Sequence, residues 1–389
     1  MNIGAAFTLI RNGASIKQTD SAGGIPITRI ETIANRVIDR NHMGYADIYN
    51  GDKYSSYFLR DGDILMSHIN SIQHLGKAAI YHPLDEKEKI IHGMNLLVLR
   101  ANQKILDNQF AYFYFSSDSF LHKLPRITKK SVNQASFTVS ELKKIDIPCP
   151  ALSQQHKIAK ILSIIQTLCN KRNEQLKIFD ELVKSRFLEM FGNKEYSICQ
   201  LSDQCEIITK GTTPTTIGYN FTTDGVRFIK IENITEEGKF DTAKMMHISD
   251  ECNMIMKRSQ LKSGDLLFSI AGAIGRCAVV TNDILPANIN QALAIIRLRK
   301  DAQLSRNFLF AVLKSSYVEK QYKGLRRGGA QLNLSLKDIG NFKILLPPES
   351  EQENFIDLYK QVDKSKMAVQ KSLDELEILK KSLMQTYFG

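Results

Sequence analysis

Two long segments of the chain carry apolar residues at helical spacing and contain neither glycine nor proline. From Gln154 to Phe191 the apolar positions are Ile158, Leu162, Ile165, Cys169, Leu176, Phe179, Val183 and Met190. From Gln352 to Phe388 they are Phe355, Tyr359, Val362, Val369, Leu373, Leu376 and Leu383. This spacing predicts two helices with one narrow apolar stripe each, which is typical of helices that pair with a single partner helix. Each would be roughly 55 Å long at 1.5 Å per residue.

The residues before each long segment alternate short β-branched runs with turns. Predicted strands are Ile25–Ile30, Ile64–Met66, Leu96–Leu99, Arg227–Ile231, Asp265–Phe268 and Leu293–Leu298. A helical stretch follows in each half, at Gln109–Leu121 and Arg306–Tyr322. Ser350 and Glu353 have the spacing of a capping box at the second long helix. The pattern predicts mixed α/β domains over residues 1–150 and 193–348, with connector helices over 151–192 and 349–389.

The second half of the chain repeats the first about 198 residues later. The repeated motifs include Phe191-Gly192 and Phe388-Gly389, Gly62-Asp63 and Gly264-Asp265, Gln134-x-x-Phe137 and Gln331-x-x-Leu334, and Pro150-x-x-x-Gln154 and Pro348-x-x-x-Gln352. The period is too long for a solenoid repeat, so two whole domains with their connectors are duplicated. From the order of segments we expect the long helices to run antiparallel as an intramolecular coiled coil. We also expect pseudo-twofold symmetry and neighbouring chain termini.

The composition favours a soluble protein with a polyanionic partner. The formal net charge of the 389 residues is +11, and such an excess of lysine and arginine favours nucleic acid before other partners. No apolar run reaches the 18 residues that a membrane span needs, and Met1-Asn2-Ile3-Gly4 does not resemble a signal peptide. We therefore expect a cytoplasmic protein without membrane contact.

No motif of an enzyme stands out. The chain lacks a G-x-x-x-x-G-K-[ST] phosphate loop, and Gly272-Ala273-Ile274-Gly275 differs from a dinucleotide-binding loop. The only Pro-Pro pair, Pro347-Pro348, lacks the neighbours that an amino-methyltransferase uses to hold its target amine. The six cysteines show no metal-ligand spacing. We expect a binding protein that performs no catalysis and holds no metal or cofactor of its own.

Two pairs of loops at equivalent places in the halves are candidates for binding nucleic acid. The first pair is basic and leads into a glutamine; its candidate residues are Arg126, Lys129, Lys130 and Gln134, and Arg326, Arg327 and Gln331. The second pair lies early in each domain; its candidates are Asn12, Ser15 and Lys17, and Lys210, Thr212 and Thr213. Lysine and arginine suit phosphate oxygens, and glutamine can bond an adenine edge with two hydrogen bonds. For each loop the alternative is an ordinary solvated turn.

The motifs at the two domain ends are similar to those of the specificity (S) subunit of type I restriction–modification enzymes. They are Ile147-Pro148-Cys149-Pro150-x-x-x-Gln154-Gln155 and Leu345-Leu346-Pro347-Pro348-x-x-x-Gln352-Glu353, each followed by a long helix that ends in Phe-Gly. The family pattern usually carries Pro-Pro and Glu-Gln here. In the first half Cys149 separates the prolines, and Gln154-Gln155 replaces Glu-Gln. The resemblance covers essentially the whole chain.

The resemblance implies two target recognition domains, each reading one half of a bipartite, asymmetric site in double-stranded DNA. The paired helices would set the spacer between the halves and bind two modification subunits, which use S-adenosylmethionine to methylate adenine. Two restriction subunits, where present, would add translocation and cleavage that depend on ATP and Mg. Two alternatives remain open: a duplicated protein-scaffold adaptor, and the specificity subunit of a different restriction–modification class.

Overall fold

The computed structural model describes residues 1–19, 23–45, 48–49, 51–131, 134–192, 194–325 and 333–389. They divide into two compact units. Unit one comprises Met1–Glu174 and Gln370–Gly389, and unit two comprises Gln175–Val369. Each unit therefore contains one part of each long helix, as well as its own α/β domain. The predicted mixed α/β class and the two long helices are confirmed.

Unit one combines two antiparallel sheets with short helices. Its strands are β1 (Phe7–Asn12), β2 (Ile64–Ser67), β3 (Ile69–Asn70), β4 (Ala78–Ile80), β5 (Leu96–Ala101), β6 (Lys129–Lys130) and β7 (Ala135–Ser136). Its helices are α1 (Ile3–Ala6), α2 (Asn108–Phe115), α3 (Asp118–Leu121) and α4 (Val139–Leu142), and the long α5 (Leu152–Phe191) begins in it. One sheet has the strand order β1-β5-β2-β4 and the other β3-β7-β6. Short 3₁₀ helices occur at Glu31–Ile33, Arg40–His42, Asp52–Tyr57, Ile72–His74 and Leu124–Arg126.

Unit two repeats this plan with additions. Its strands are β8 (Ser197–Gln200), β9 (Cys205–Lys210), β10 (Val226–Ile229), β11 (Met246–Ile248), β12 (Leu266–Ser269), β13 (Cys277–Val279), β14 (Ala287–Ile289), β15 (Leu293–Leu298) and β16 (Lys343–Leu346). Its helices are α6 (Asp250–Ile255), α7 (Arg306–Leu313), α8 (Ser316–Lys323), α9 (Leu336–Gly340) and the long α10 (Glu349–Phe388), which ends in unit one. The sheets have the orders β13-β12-β15-β9, β11-β10-β14 and β16-β8. Its 3₁₀ helices are Leu201–Gln204, Pro214–Ile217, Ile231–Asn233, Lys257–Ser259 and Asn282–Ile284.

The four-stranded sheets of the two units share the same frame. The order β9-β15-β12-β13 matches β1-β5-β2-β4, and every neighbouring pair is antiparallel. Each first strand carries a register shift at the same end. The repeated Gly-Asp motif also has one role in both units. Buried Asp63 accepts two hydrogen bonds from Arg100, of 2.8 and 2.7 Å. Buried Asp265 accepts two from Arg297, both of 2.7 Å.

Within each unit, α5 and α10 pack against each other in antiparallel directions. In unit one, Leu162 shares a core with Phe388, and further along α5 the Gln166 side chain accepts a hydrogen bond from Lys380. In unit two, Asp180 forms an ion pair of 2.5 Å with Lys366, and the Phe187 and Phe355 rings are 5.5 Å apart. In both units, positions that rise along α5 meet positions that fall along α10. The predicted apolar residues Ile158, Leu162, Ile165, Cys169, Val362 and Leu373 are buried.

A buried glutamine fastens the start of each long helix, and it corrects the register of the repeated motif. Gln155 bonds the backbone around Ile105 and Asp107, and Gln352 bonds the equivalent backbone around Gln303 and Ser305. The equivalent of Gln352 is therefore Gln155, whereas the sequence alignment paired it with exposed Gln154. The two adjacent glutamines made the one-residue error possible.

Three local predictions were wrong. Ile25–Ile30 forms single bridges and no strand, because Pro26 has no N–H to donate to a ladder. Each predicted helical stretch is broken into two helices, at Ser116–Ser117 and at Lys314–Ser315, and Ser117 caps the second helix of unit one. Finally, α10 begins at Glu349, so Ser350 lies inside its first turn and is not the N-cap of a capping box.

Candidate nucleic-acid interface

One edge of the four-stranded sheet in unit one carries the candidate loops. The pairs Asn12↔Leu97, Leu97↔Met66 and Met66↔Ala78 bring together the end of β1, the start of β5, the end of β2 and the start of β4. We call this the loop edge of unit one, because residues 13–18, 68–77 and 92–95 leave the sheet there. At the opposite ends of these strands, the segment after β5 contains Ile105 and Asp107. Their backbone atoms bond Gln155 in the first turn of α5.

The basic loop of unit one is a β-hairpin attached to the loop edge. Strand β7 pairs with β6 on one side and with β3 on the other. The Phe137 N–H donates to the His68 carbonyl at 3.1 Å, and the Ser131 N–H donates to the Gln134 carbonyl at 2.8 Å, which closes the hairpin tip. The structure thus collects the exposed candidates on and just before one hairpin: Arg126, Lys129, Lys130 and Gln134.

The early loop of unit one leaves the same edge. Asn12, Ser15 and Lys17 are all exposed. A Cβ atom at Gly13 would lie 2.0 Å from the Gly93 carbonyl oxygen, so this glycine permits close packing between two segments of the chain. That packing explains the glycine without a bound phosphate. The Asn12 side chain accepts the Gly13 N–H at 3.0 Å and so also stabilises the turn.

The loop edge of unit two is arranged in the same way. The pairs Lys210↔Ala294, Phe268↔Ala294 and Phe268↔Cys277 align the corresponding strand ends. A Cβ atom at Gly211 would lie 1.9 Å from the Ile289 carbonyl oxygen, as at Gly13 in unit one.

The candidate side chains of unit two differ in exposure. Lys210 is exposed, whereas Thr212 and Thr213 are half-buried and Thr213 donates to the Gln291 side chain. Arg326, Arg327 and Gln331 lie outside the described residues. Just beyond them, the Leu334 N–H donates to the Ile270 carbonyl at 2.9 Å, as Phe137 does to His68.

Sequence reasoning missed an aromatic and basic group beside the early loop of unit one. The Arg11 guanidinium lies 4.0 Å from the centre of the Tyr57 ring and donates to the Ser56 carbonyl. The Lys53 ammonium is 5.7 Å from the Tyr54 ring, and Tyr49 is 76% exposed. The signal was present, because tyrosine alternates with lysine, serine and glycine between residues 45 and 57. Aromatic and cationic side chains together suit contact with bases and phosphates.

Two histidines are buried beneath the loop edge of unit one. Burial lowers the pKa of His92 to about 4, and its Nε2 bonds the Leu96 carbonyl at 2.9 Å. Burial also lowers the pKa of His68, which directly precedes β3. Both imidazoles are therefore neutral near pH 7. By strand register, the position of unit two that corresponds to His68 holds Ile270.

Among the described residues, no group of three or more His, Cys, Asp or Glu could hold a metal ion. In the same part of the chain, no helix is long and apolar enough to cross a membrane.

Comparison with known proteins gives consistent matches over both units. The family model described as the type I restriction modification DNA specificity domain matches residues 2–178 and 193–377. The chain is 30% identical to the putative type I restriction enzyme MjaX specificity subunit of Methanocaldococcus jannaschii, over 97% of this chain and 89% of that protein. It is 24% identical to the MjaVIII specificity subunit of the same organism, over 76% of this chain and 73% of that protein. The crystal structure of the type-I restriction-modification system S subunit from M. genitalium has the same fold, with a TM-score of 0.59 at 14% identity, covering 100% of this chain and 95% of that one.

Proposed function

The chain belongs to the type I restriction–modification DNA specificity family, and we propose that it reads a bipartite, asymmetric site in double-stranded DNA, one half with each unit. One observation carries the proposal. The two units repeat the same frame, including the sheet order and the Asp–Arg pair, but carry different residues at their loop edges. A repeated frame with different edges suits a protein that reads two different short sequences.

The hairpin of unit one has the composition of a DNA-reading element. Exposed Arg126, Lys129 and Lys130 can neutralise phosphates, which supplies affinity without sequence preference. Exposed Gln134 at the hairpin tip can bond the N6 and N7 atoms of an adenine in the major groove. Lys17 at the same edge extends the basic surface. For unit two we propose the same roles for Lys210, Arg326, Arg327 and Gln331.

The long helices would set the spacer and bind the partner subunits. Each helix has 40 residues and is about 60 Å long. Ile164, Ile178 and Leu188 of α5 are more than half exposed, and exposed apolar side chains on a helix favour a protein partner. We propose that two modification subunits bind here and use S-adenosylmethionine. Restriction subunits, where present, would use ATP and Mg. The chain itself would perform no catalysis.

Modified-base sequencing tests the proposal directly. The chain is expressed with its modification subunits in a host that otherwise lacks adenine methylation. We expect methylated adenines in one two-part motif with a fixed spacer and two dissimilar halves. A palindromic motif, or methylation without a motif, would contradict the proposal. The alternative, a duplicated protein-scaffold adaptor, is tested by measuring binding to random duplex DNA at increasing salt concentration. Phosphate contacts make the affinity of a DNA-binding protein fall steeply with salt, whereas an adaptor would show no such binding.

A helix insertion tests the spacer role. Four residues inserted in α5 beside Arg172 add about one turn and 6 Å, close to two base pairs at about 3.4 Å each. We expect the spacer to change and both half-sites to stay the same. Four residues inserted in the exposed turn at Asp85–Lys87 serve as the control and should leave the spacer unchanged. Recognition of the original spacer alone by the α5 variant would refute the role of the helices.

A further inference from the structure

We propose that Gln155 and Gln352 are positioning residues that fix the direction in which each long helix leaves its unit, and thereby restrict the spacer that the protein accepts. The inference rests on the proposed function, since it concerns how the two half-sites are kept in phase. It assigns a role to two buried side chains that lie far from the loop edges.

In unit one, the Gln155 amide joins two segments of chain through three hydrogen bonds. The side chain is fully buried, with 0% exposure. Its oxygen accepts the Asp107 N–H at 2.9 Å, and its nitrogen donates to the Ile105 carbonyl at 2.9 Å and the Pro150 carbonyl at 2.7 Å. One group therefore ties the first turn of α5 to the segment that follows β5 and to Pro150, two residues before the helix.

In unit two, Gln352 makes the same three bonds. It is 1% exposed. Its oxygen accepts the Ser305 N–H at 2.9 Å, and its nitrogen donates to the Gln303 carbonyl at 2.8 Å and the Pro347 carbonyl at 2.9 Å. Both helix starts have the same geometry, and the segments that they bond follow the equivalent strands β5 and β15. This repetition indicates a shared mechanical role.

A glutamine suits this position because its amide places one acceptor oxygen and two N–H donors at the end of the same side chain, where the three backbone partners lie. A glutamate keeps the acceptor but loses both donors and directs a carboxylate at two carbonyl oxygens. A buried polar group without its partners is costly, so the helix start would shift to restore hydration or bonding. Such a shift changes the direction of the helix relative to its own sheet.

A small change of direction matters because the helices are long. At about 60 Å, a tilt of roughly 3° at one end displaces the other by about 3 Å, close to the rise of one base pair, about 3.4 Å. We call each of these glutamines, with the backbone that it bonds, the joint of its unit. A joint whose direction varies by a few degrees would therefore accept neighbouring spacer lengths. Each joint has a further bond, and the two differ in strength. In unit two the Glu351 carboxylate accepts from Lys194 at 2.8 Å and from Tyr196 at 2.5 Å, whereas in unit one the thiol of Cys149, a weak donor, bonds the Ile105 carbonyl at 3.2 Å. Loosening the joint in unit one should therefore have the larger effect.

The test uses the complete complex with its modification subunits and the target sequence found for the wild type. Gln155→Glu and Gln352→Glu are compared with Gln154→Glu and Gln361→Glu, whose side chains are exposed on the same helices. Methylation and binding are measured on duplexes with the cognate spacer and with one base pair more or fewer. We expect Gln155→Glu to reduce the preference for the cognate spacer at least fivefold, and Gln352→Glu to reduce it less. The discrimination against altered half-sites should not change, and both controls should stay within twofold of wild type.

A separate control removes loss of stability as an explanation. Leu65→Ala leaves a cavity in a second core cluster of unit one that contains no residue of α5, and it should lower the melting temperature without relaxing the spacer preference. If Gln155→Glu weakens binding to all spacers equally, the positioning role is wrong. If it does not fold, Gln155→Met removes the bonds without a charge, and failure of that variant to assemble would also reject the role in favour of a purely structural one. The failure of the proposed function is distinct, because the wild type would then show no spacer preference at all.

Discussion

The two units are built differently in one segment of chain, which connects β1 to β2 in unit one and β9 to β12 in unit two. In unit one, the described residues between β1 and β2 form single bridges and 3₁₀ helices, and Tyr54, Tyr57 and Phe58 pack against a small cluster around Ile27. In unit two, the corresponding residues between β9 and β12 contain strands β10 and β11 and helix α6, packed around Phe228. The surrounding frame keeps the same order and register. The difference teaches that the frame depends on a few buried bonds and leaves this region free to vary.

The residues under the loop edges follow the same division. By strand register, Arg11 and His68 in unit one correspond to Thr209 and Ile270 in unit two. A cationic and a titratable side chain of unit one are therefore replaced by a neutral hydroxyl and an alkyl group in unit two. Because these residues support the loops that face the proposed DNA, the two units differ below their surface as well as on it.

Breaking the shared frame should have the largest effect. Asp63→Ala and Asp265→Ala each leave an arginine without its buried partner, and such a loss costs about 3–5 kcal/mol. We expect Asp265→Ala to cost more, because Arg297 is less exposed than Arg100, at 14% against 25%. Urea unfolding measures the loss. A double-mutant cycle with Arg100→Ala and Arg297→Ala isolates the pair energies, and equal small losses at both sites would show that the frame does not depend on them.

Acid should separate the two units. The folded-state pKa of His92 is about 4, below the ordinary value of 6.5, so the unfolded chain binds the proton more readily. The contribution of His92 to stability is therefore complete above pH 6.5 and is lost as the pH falls towards 4, by about 3 kcal/mol. His68, whose pKa is also lowered, acts in the same direction. Unfolding measured from pH 7 to pH 4 should show a smaller slope in His92→Ile, which removes the titrating group; an unchanged slope would contradict the assignment.

The hairpin of unit one should affect one half-site only. We expect Gln134→Ala to reduce discrimination at one adenine of a single half-site by about 1–3 kcal/mol, with the other half unaffected. Lys129→Ala is the matched contrast on the same hairpin. It should weaken binding to all sequences and lower the slope of log affinity against log salt by about 0.9. Competition binding with singly substituted duplexes distinguishes the two patterns, and an effect of Gln134→Ala on both halves would argue against separate reading.

Rejoining the chain should have the smallest effect. Met1 in unit one bonds Ile147, as β8 pairs with β16 in unit two, and Phe388 occupies the place that Phe191 has in unit two. A permutant that links Gly389 to Met1 through a copy of residues 193–198, and opens between Gly192 and Asn193, should keep its fold. We expect a change within about 1 kcal/mol, because closing a short loop costs little. Circular dichroism and unfolding check this, and a permutant that does not fold would show that the two joins are not equivalent.

The sequence predicted the elements whose pattern is local. The long helices follow from the spacing of residues such as Leu162 and Leu373, and the duplication follows from motifs such as Gly62-Asp63. The sequence could not show which residues bond each other when they lie far apart in the chain. Asp63 was recognised as repeated, but its bond to Arg100 depends on strand pairing. Gln154 and Gln155 are indistinguishable as letters, and only burial separates them.

The candidate site was predicted to a similar extent. The basic and hydroxylated loops were found by composition, and the structure brings the described ones to one edge of each sheet because the strands align in register. Their individual roles on DNA remain predictions, including those of Asn12, Ser15, Thr212 and Thr213. The support beneath them was not predicted, since nothing local distinguishes a buried histidine such as His92 from an exposed one.

Across the joint, the amides of Gln155 and Gln352 bond the main chain of the segments that follow β5 and β15, and this has a consequence for how such chains can change. Ile105 in one joint and Gln303 in the other have different side chains, yet their carbonyls meet the glutamine in the same way. Asp107 and Ser305 differ in charge, but each caps the helix that follows it and donates its own N–H to the glutamine. An attachment that ignores side chains accepts any domain whose backbone makes the same turn. The protein is therefore constructed so that one half could be replaced by a foreign counterpart, giving a hybrid target without redesign of the fastening.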